Sequence, residues 1–202
     1  MDYIQAFSAF FGTTPNTLGN TIIITNINPI FHGLVEQSIL DYPVFKGFYE
    51  LTKVRYDTGN TYDLLKISAG NNIIDVLKLV INYVDKVIFV GIAGSLISDY
   101  SIGEVYSPSE FIDRIIPSCK YQHAICQTSG LIQSDEFYLD LKKAGVALVD
   151  MECFDVYTLC NNNKISLKYI VQVSDKPLEC PFYAAKPENI KVKDILNIIK
   201  TF

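Results

Sequence analysis

The chain has 202 residues, 49 % of them hydrophobic and 19 % charged, with a formal net charge of −5. That composition excludes a disordered polymer, and the length suits a single domain, 1–202, with a sizeable core. Lys and Arg are scattered, which excludes a basic nucleic-acid or anionic-membrane surface, and no apolar run approaches the roughly 20 residues that span a bilayer.

The opening "MDYIQAFSAFFG" carries Asp2 and lacks a basic segment, so it does not read as a signal peptide. Its Ile4, Phe7, Ala9, Phe10 and Phe11 predict a short amphipathic helix packed on the body or on a partner. "NTIIITNI" (20–27) predicts a strand, and "FHGLVEQSIL" (31–40) has helical spacing after Pro29. Residues 46–70 read as a hairpin turning at "DTGN", followed by a helix over 71–84. "KVIFVGIAGSL" (86–96) is wholly apolar and ends in glycines, as a strand covered on both faces does. Strands at 122–130, 145–150 and 167–175 alternate with helices at about 134–143, 152–162 and 190–200. Cys153, Phe154, Tyr157 and Cys160 share one face of the penultimate helix, which predicts core.

This alternation predicts an α/β fold, a three-layer α/β/α architecture around a central, largely parallel mixed sheet. In such sheets ligands bind beyond the carboxyl ends of the strands. Three strands end in distinctive groups, "FVGIAGS", "VALVDMEC" and "VQVSD". If all run parallel, Gly91, Ala93, Gly94 and Ser95 converge with Glu152 and Asp175 on one crevice. Each residue also has an ordinary reading. Asp175 can end a strand or cap a turn before Pro177, Glu152 can meet a helix dipole, and Met151 can be core. Five cysteines (Cys119, Cys126, Cys153, Cys160 and Cys180), no CxxC and two distant histidines predict a reduced cytoplasmic protein with buried thiols and no metal.

The trio "VGIAGSL", "VDMEC" and "VQVSD", in that order and with 22 residues between Glu152 and Asp175, resembles the nucleoside phosphorylase/nucleosidase superfamily. That family includes hexameric-type purine nucleoside phosphorylases, uridine phosphorylases and methylthioadenosine/S-adenosylhomocysteine nucleosidases. The resemblance covers about residues 62–176. It implies an N-glycosidase or phosphorylase acting on a small-molecule nucleoside without a cofactor, other than inorganic phosphate in a phosphorylase. It also implies a homo-oligomer, a dimer or hexamer.

By the same resemblance Glu152 would bind the ribose 2′- and 3′-hydroxyls and Met151 would pack beneath the sugar. Asp175 would be the acid at purine N7, oriented by Ser174. Backbone around Gly91, Ala93 and Gly94 would line the pocket, Ile132 would stack on the base, and Phe182 would lie over it.

Two departures from the family shape the functional expectation. Its phosphorylases carry one arginine in an N-terminal glycine loop and another just before the glycine-rich strand end. Here the loop reads "TNINPIFHG", the second position is at or beside Phe89, and the chain's two arginines are Arg55 and Arg114. Arg55 could still reach a neighbouring subunit's site. Hydrolysis of an adenosine-type nucleoside is therefore favoured over phosphorolysis. The nucleosidases' water-activating glutamate also has no counterpart after the first strand, where Glu36 falls about two turns late and Asn26, Asn28 or His32 remain to position water. A nucleoside-binding protein with impaired catalysis is the further alternative.

Overall fold

The structure, a computed structural model, describes residues 3–40, 42–67, 73–113, 120–130, 133–182, 184 and 190–202. In chain order its elements are α1 (Tyr3–Phe11), a 3₁₀ turn (Pro15–Thr17), β1 (Thr21–Thr25), α2 (Asn28–Glu36), β2 (Phe45–Lys46), β3 (Glu50–Arg55) and β4 (Thr61–Lys66). Then come α3 (Ile73–Val80), a second 3₁₀ turn (Ile81–Tyr83), β5 (Lys86–Ser95), β6 (Val105–Tyr106), β7 (Phe111–Ile112) and β8 (Ala124–Gln127). The chain closes with α4 (Asp135–Ala144), β9 (Val146–Asp150), α5 (Cys153–Asn162), β10 (Ser166–Asp175) and α6 (Val192–Ile199).

The strands form one mixed sheet in the order β2-β3-β4-β1-β5-β9-β8-β7, with β10 paired to β5 and β6 to β10. Alternation along the strands sends side chains to two covered faces. On one face Ile22, Val87, Phe89 and Val171 meet Phe7 and Phe11 of α1, Leu77 of α3 and Cys153 and Val156 of α5. On the other, Ile23, Ile88, Val90 and Ile170 meet Phe31 and Leu34 of α2 and Ile195 and Ile199 of α6. A third cluster lies under α4, where Tyr138 and Leu141 pack on Cys126, Val146 and Val149. Each such fully buried side chain contributes about 1.5–3 kcal/mol. The three-layer α/β/α arrangement expected from the sequence is the arrangement found.

Two sequence expectations need correction. Tyr157 is not core: α5 buries Cys153, Val156 and Cys160, while Tyr157 is exposed and stacks on Phe111 at 4.9 Å between ring centres. Nor do all the site strands run parallel. β5 is parallel to β1 and β10 but antiparallel to β9, with Gly94 opposite Val149 and Ser95 opposite Leu148. The strand ends converge all the same, because the antiparallel contact joins the carboxyl tip of β5 to that of β9.

This topology opens a gap. β10 occupies one edge of β5 from Lys86 to Gly94, so β1 and β9 share the other edge. β1 pairs as far as Val90 and β9 begins at Gly94, which leaves Gly91, Ile92 and Ala93 open along that edge.

α4 shows how local sequence fixes its ends. Ser134 caps the start by accepting a hydrogen bond from Phe137 N at 3.2 Å, and Gly145 ends it in the left-handed region at φ +93°. A Cβ at position 145 would press on the Tyr121 carbonyl oxygen as well as strain that φ. Gly145→Ala is expected to lower stability by about 1–3 kcal/mol, read as a fall in the urea midpoint.

Candidate active site

The gap in β5 floors a cavity of about 380 Å³. Gly91, Ile92, Ala93 and Gly94 line its base, Asn26 and Ile27 enter from the end of β1, and Asp150, Met151 and Glu152 enter from the end of β9. Ser174, Asp175, Pro177 and Phe182 close it from the end of β10, and Tyr138 adds an aromatic wall from α4. Gly91, Ala93, Gly94, Met151, Glu152, Ser174, Asp175 and Phe182, all singled out from the sequence, thus face one space. Ile132 and Arg114 lie outside the described residues. A separate depression of about 490 Å³ lies beside Ser107, Tyr157 and Phe202, with no carboxylate side chain among its described lining residues.

Gly94 is small because of Pro177. A Cβ there would stand 2.9 Å from Pro177 Cγ and 3.2 Å from Val149 Cγ2. The close approach lets the loop after β10 fold over the cavity. Reciprocal backbone hydrogen bonds between Lys176 and Cys180 (2.9 and 2.7 Å) pin that loop and bring Phe182 to the rim, where it is 44 % exposed.

Asp175 is nearly buried, at a register shift where β10 resumes pairing opposite Gly94. The Ser174 hydroxyl donates to Asp175 Oδ1 at 2.6 Å and also lies 3.2 Å from the Ala93 carbonyl oxygen. Burial pushes the Asp175 carboxyl above the ordinary carboxylate range, opposed by that hydroxyl and by a hydrogen bond with the Phe182 backbone. Asp175 faces a mostly apolar cavity with its proton affinity raised.

Glu152 occupies the N-cap position of α5 yet makes no side-chain cap hydrogen bond. Asp150 caps instead: its Oδ1 accepts from Glu152 N at 3.2 Å and Cys153 N at 3.0 Å. The Glu152 carboxylate is thereby turned across the cavity, where Asn26 Nδ2 donates to Oε1 at 3.4 Å. Burial drives the Asp150 carboxyl upward, opposed by a short hydrogen bond donated by Tyr169 Oη to Oδ2 and by the groups of Cys153 and Glu152. Thr128 ties the same turn down, donating to the Asp150 carbonyl oxygen from its backbone N at 2.7 Å.

The pairing of Asn26 with Glu152 and the capping role of Asp150 escape a reading of the sequence. Asp150 reads there as the end of a strand, because its partner Tyr169 is 19 residues away. Of the three residues considered for positioning water, Asn26 lines the cavity, whereas Asn28 and His32 are exposed and Asn28 accepts from Lys66 Nζ at 3.1 Å. Arg55 is exposed on the β3–β4 hairpin, its Nε donating to the Gly59 carbonyl at 3.0 Å. No lysine or arginine is among the described residues lining the cavity, and no group of three His, Cys, Asp or Glu among the described residues could hold a metal ion. No helix among them is long and apolar enough to cross a membrane.

Neither a scan of protein-family profiles nor a search of curated proteins returns a match. Solved structures do match. The Helicobacter pylori 5′-methylthioadenosine/S-adenosylhomocysteine nucleosidase with butyl-thio-DADMe-Immucillin-A superposes with a TM-score of 0.72 at 15 % identity, over 92 % of this chain and 100 % of that one. Native futalosine hydrolase of Helicobacter pylori strain 26695 gives 0.73 at 15 % identity, over 93 % and 100 %. Purine nucleoside phosphorylase from Toxoplasma gondii in complex with immucillin-H gives 0.70 at 14 % identity, over 90 % and 87 %. The chain therefore has the fold of the nucleoside phosphorylase/nucleosidase superfamily.

Proposed function

We propose that this protein is a nucleosidase that hydrolyses the N-glycosidic bond of an adenosine-type purine nucleoside. The observation that carries the reading is the meeting of Glu152 and Asp175, far apart in sequence, on one cavity floored by the open edge of β5. Glu152 accepts the ribose 2′- and 3′-hydroxyls on its two oxygens. Met151 packs beneath the sugar, and Phe182 with Tyr138 flanks the base. Asp175, steadied by Ser174, hands a proton to purine N7 as the glycosidic bond breaks, so that the base departs neutral while positive charge grows on the sugar. The buried, proton-retentive setting of Asp175 supports that role.

The absence of lysine and arginine from the described lining residues supports hydrolysis, since phosphate recognition uses such groups bidentately or as point charges. The likeness to a phosphorylase of the same fold keeps phosphorolysis as the second reading. Assembly with further copies of the chain is part of the same proposal.

Incubation of the pure protein with adenosine, methylthioadenosine and inosine, with and without phosphate, tests the proposal by chromatography. Free base and free sugar at the same rate in both conditions is the expected result. Ribose 1-phosphate that appears only with phosphate would replace hydrolysis by phosphorolysis. Ser174→Ala, which frees Asp175 Oδ1 from its hydroxyl, is expected to reduce kcat about tenfold with KM little changed, measured in the same assay.

A further inference from the structure

The geometry points to Asn26 as a positioning residue that holds the Glu152 carboxylate for the sugar diol, an inference that rests on the functional reading above. Asn26 directly follows β1, whose last residue, Thr25, pairs with Val90 deep in the sheet. Its amide is thus mounted on a central strand beside the open edge of β5, on the opposite side of the cavity from α5. Asp150 has taken over the capping of α5, so the Glu152 side chain makes no cap hydrogen bond to its own helix and meets the Asn26 amide instead.

The orientation of the amide follows from the charges. Nδ2 faces Glu152 Oε1 at 3.4 Å, and the reverse orientation would set the amide oxygen against a carboxylate oxygen. On its other side Asn26 Oδ1 is buried and, among the described residues, is the buried side-chain oxygen or nitrogen atom left without a hydrogen-bond partner. A buried acceptor left unmet is unfavourable, and such groups concentrate where function outweighs local stability. The side-chain hydrogen bond that Asn26 makes is thus the one its Nδ2 donates to Glu152.

A neutral donor suits the task. Each carboxylate oxygen has two acceptor sites, so Oε1 can take Asn26 and one sugar hydroxyl together. A lysine or arginine here would form an ion pair that competes with the hydroxyls, whereas an amide steadies the group and leaves its charge available. The bond at 3.4 Å is long, and contacts of this kind tighten when the ligand binds.

The test is binding rather than turnover. Calorimetric titration of the intact protein with adenosine and 2′,3′-dideoxyadenosine gives the preference owed to the diol, and Glu152→Gln marks how much of it passes through Glu152. Asn26→Ala is expected to lose about tenfold of that preference while the dideoxynucleoside binds within about twofold of the parent value. Asn26→Asp, which keeps the size and removes the donor, is expected to lose more, through like-charge repulsion. Equal weakening of both nucleosides in both variants would mean that Asn26 only shapes the pocket, and would overturn the inference. An unchanged preference would overturn it too, and if Glu152→Gln still abolished the preference the functional reading would stand. A parent protein that binds neither nucleoside, or both alike, would overturn the inference and the functional reading together.

Discussion

Asp175→Asn is expected to reduce nucleoside hydrolysis by about 10²–10⁴-fold, the range that one positioned proton donor supplies, with nucleoside affinity largely kept. The amide preserves the volume and a hydrogen-bond donor toward N7 but has no proton to release. In the parent, activity requires the protonated carboxyl, whose affinity for its proton burial raises. The rate therefore falls as pH climbs through that raised value, and the variant's residual rate lacks the same limb.

Stability of the parent follows the same pH direction. A carboxyl with a raised folded-state pKa contributes stability that is present in acid and lost as pH rises through the folded value. Above the folded value the ionised, nearly buried Asp175 opposes folding, so at such pH Asp175→Asn is expected to keep or raise the thermal midpoint. A variant that loses activity and midpoint together would point to misfolding and not to lost proton transfer.

Asp150→Ala is expected to lower stability by about 3–5 kcal/mol, a large share of the about 5–15 kcal/mol that holds a typical domain folded. The substitution strands the N–H groups of Glu152 and Cys153 and the Tyr169 hydroxyl, all in a buried setting. Each unmet donor costs about 1–3 kcal/mol. Asp150→Asn keeps an acceptor for the α5 cap and removes a carboxyl that burial already drives toward its neutral form, so its loss should be much smaller. Urea midpoints of the two variants check the contrast. Equal losses would show that the Asp150 charge matters and its capping geometry does not. Because the same cap turns Glu152 toward the cavity, Asp150→Ala should also weaken nucleoside binding.

The fold was legible wherever one strand or helix announces itself. The unbroken apolar run of β5, the β-branched run of β1 and the 3.6-residue spacing of α3 each carry their own period, and the structure has them within a few residues. β6 and β7 have two residues each, too few for any period to show. Tyr157 was misread because helical spacing gives a face without saying which neighbour covers it; the ring stays exposed and stacks on Phe111. The antiparallel tip between β5 and β9 was invisible, since strand direction is a property of the pairing and not of either strand.

The candidate site divides the same way. Glu152 and Asp175 were legible through the trio of strand ends and the resemblance it carries, since each alone has an ordinary reading. Asp150 was not, and Asn26 only as one of three residues that could position water, because their significance lies in partners: Asn26 reaches across 126 positions to Glu152, and Asp150 across 19 to Tyr169. An asparagine after a strand is ordinary until a carboxylate is seen opposite it.

The most direct measurement is a crystal structure of the Asp175→Asn protein soaked with adenosine. The account predicts both Glu152 oxygens within about 2.5–3.2 Å of the 2′- and 3′-hydroxyls, and the side chain at position 175 donating to N7. A nucleoside seated elsewhere, or one in this cavity whose sugar hydroxyls face away from Glu152, would contradict it.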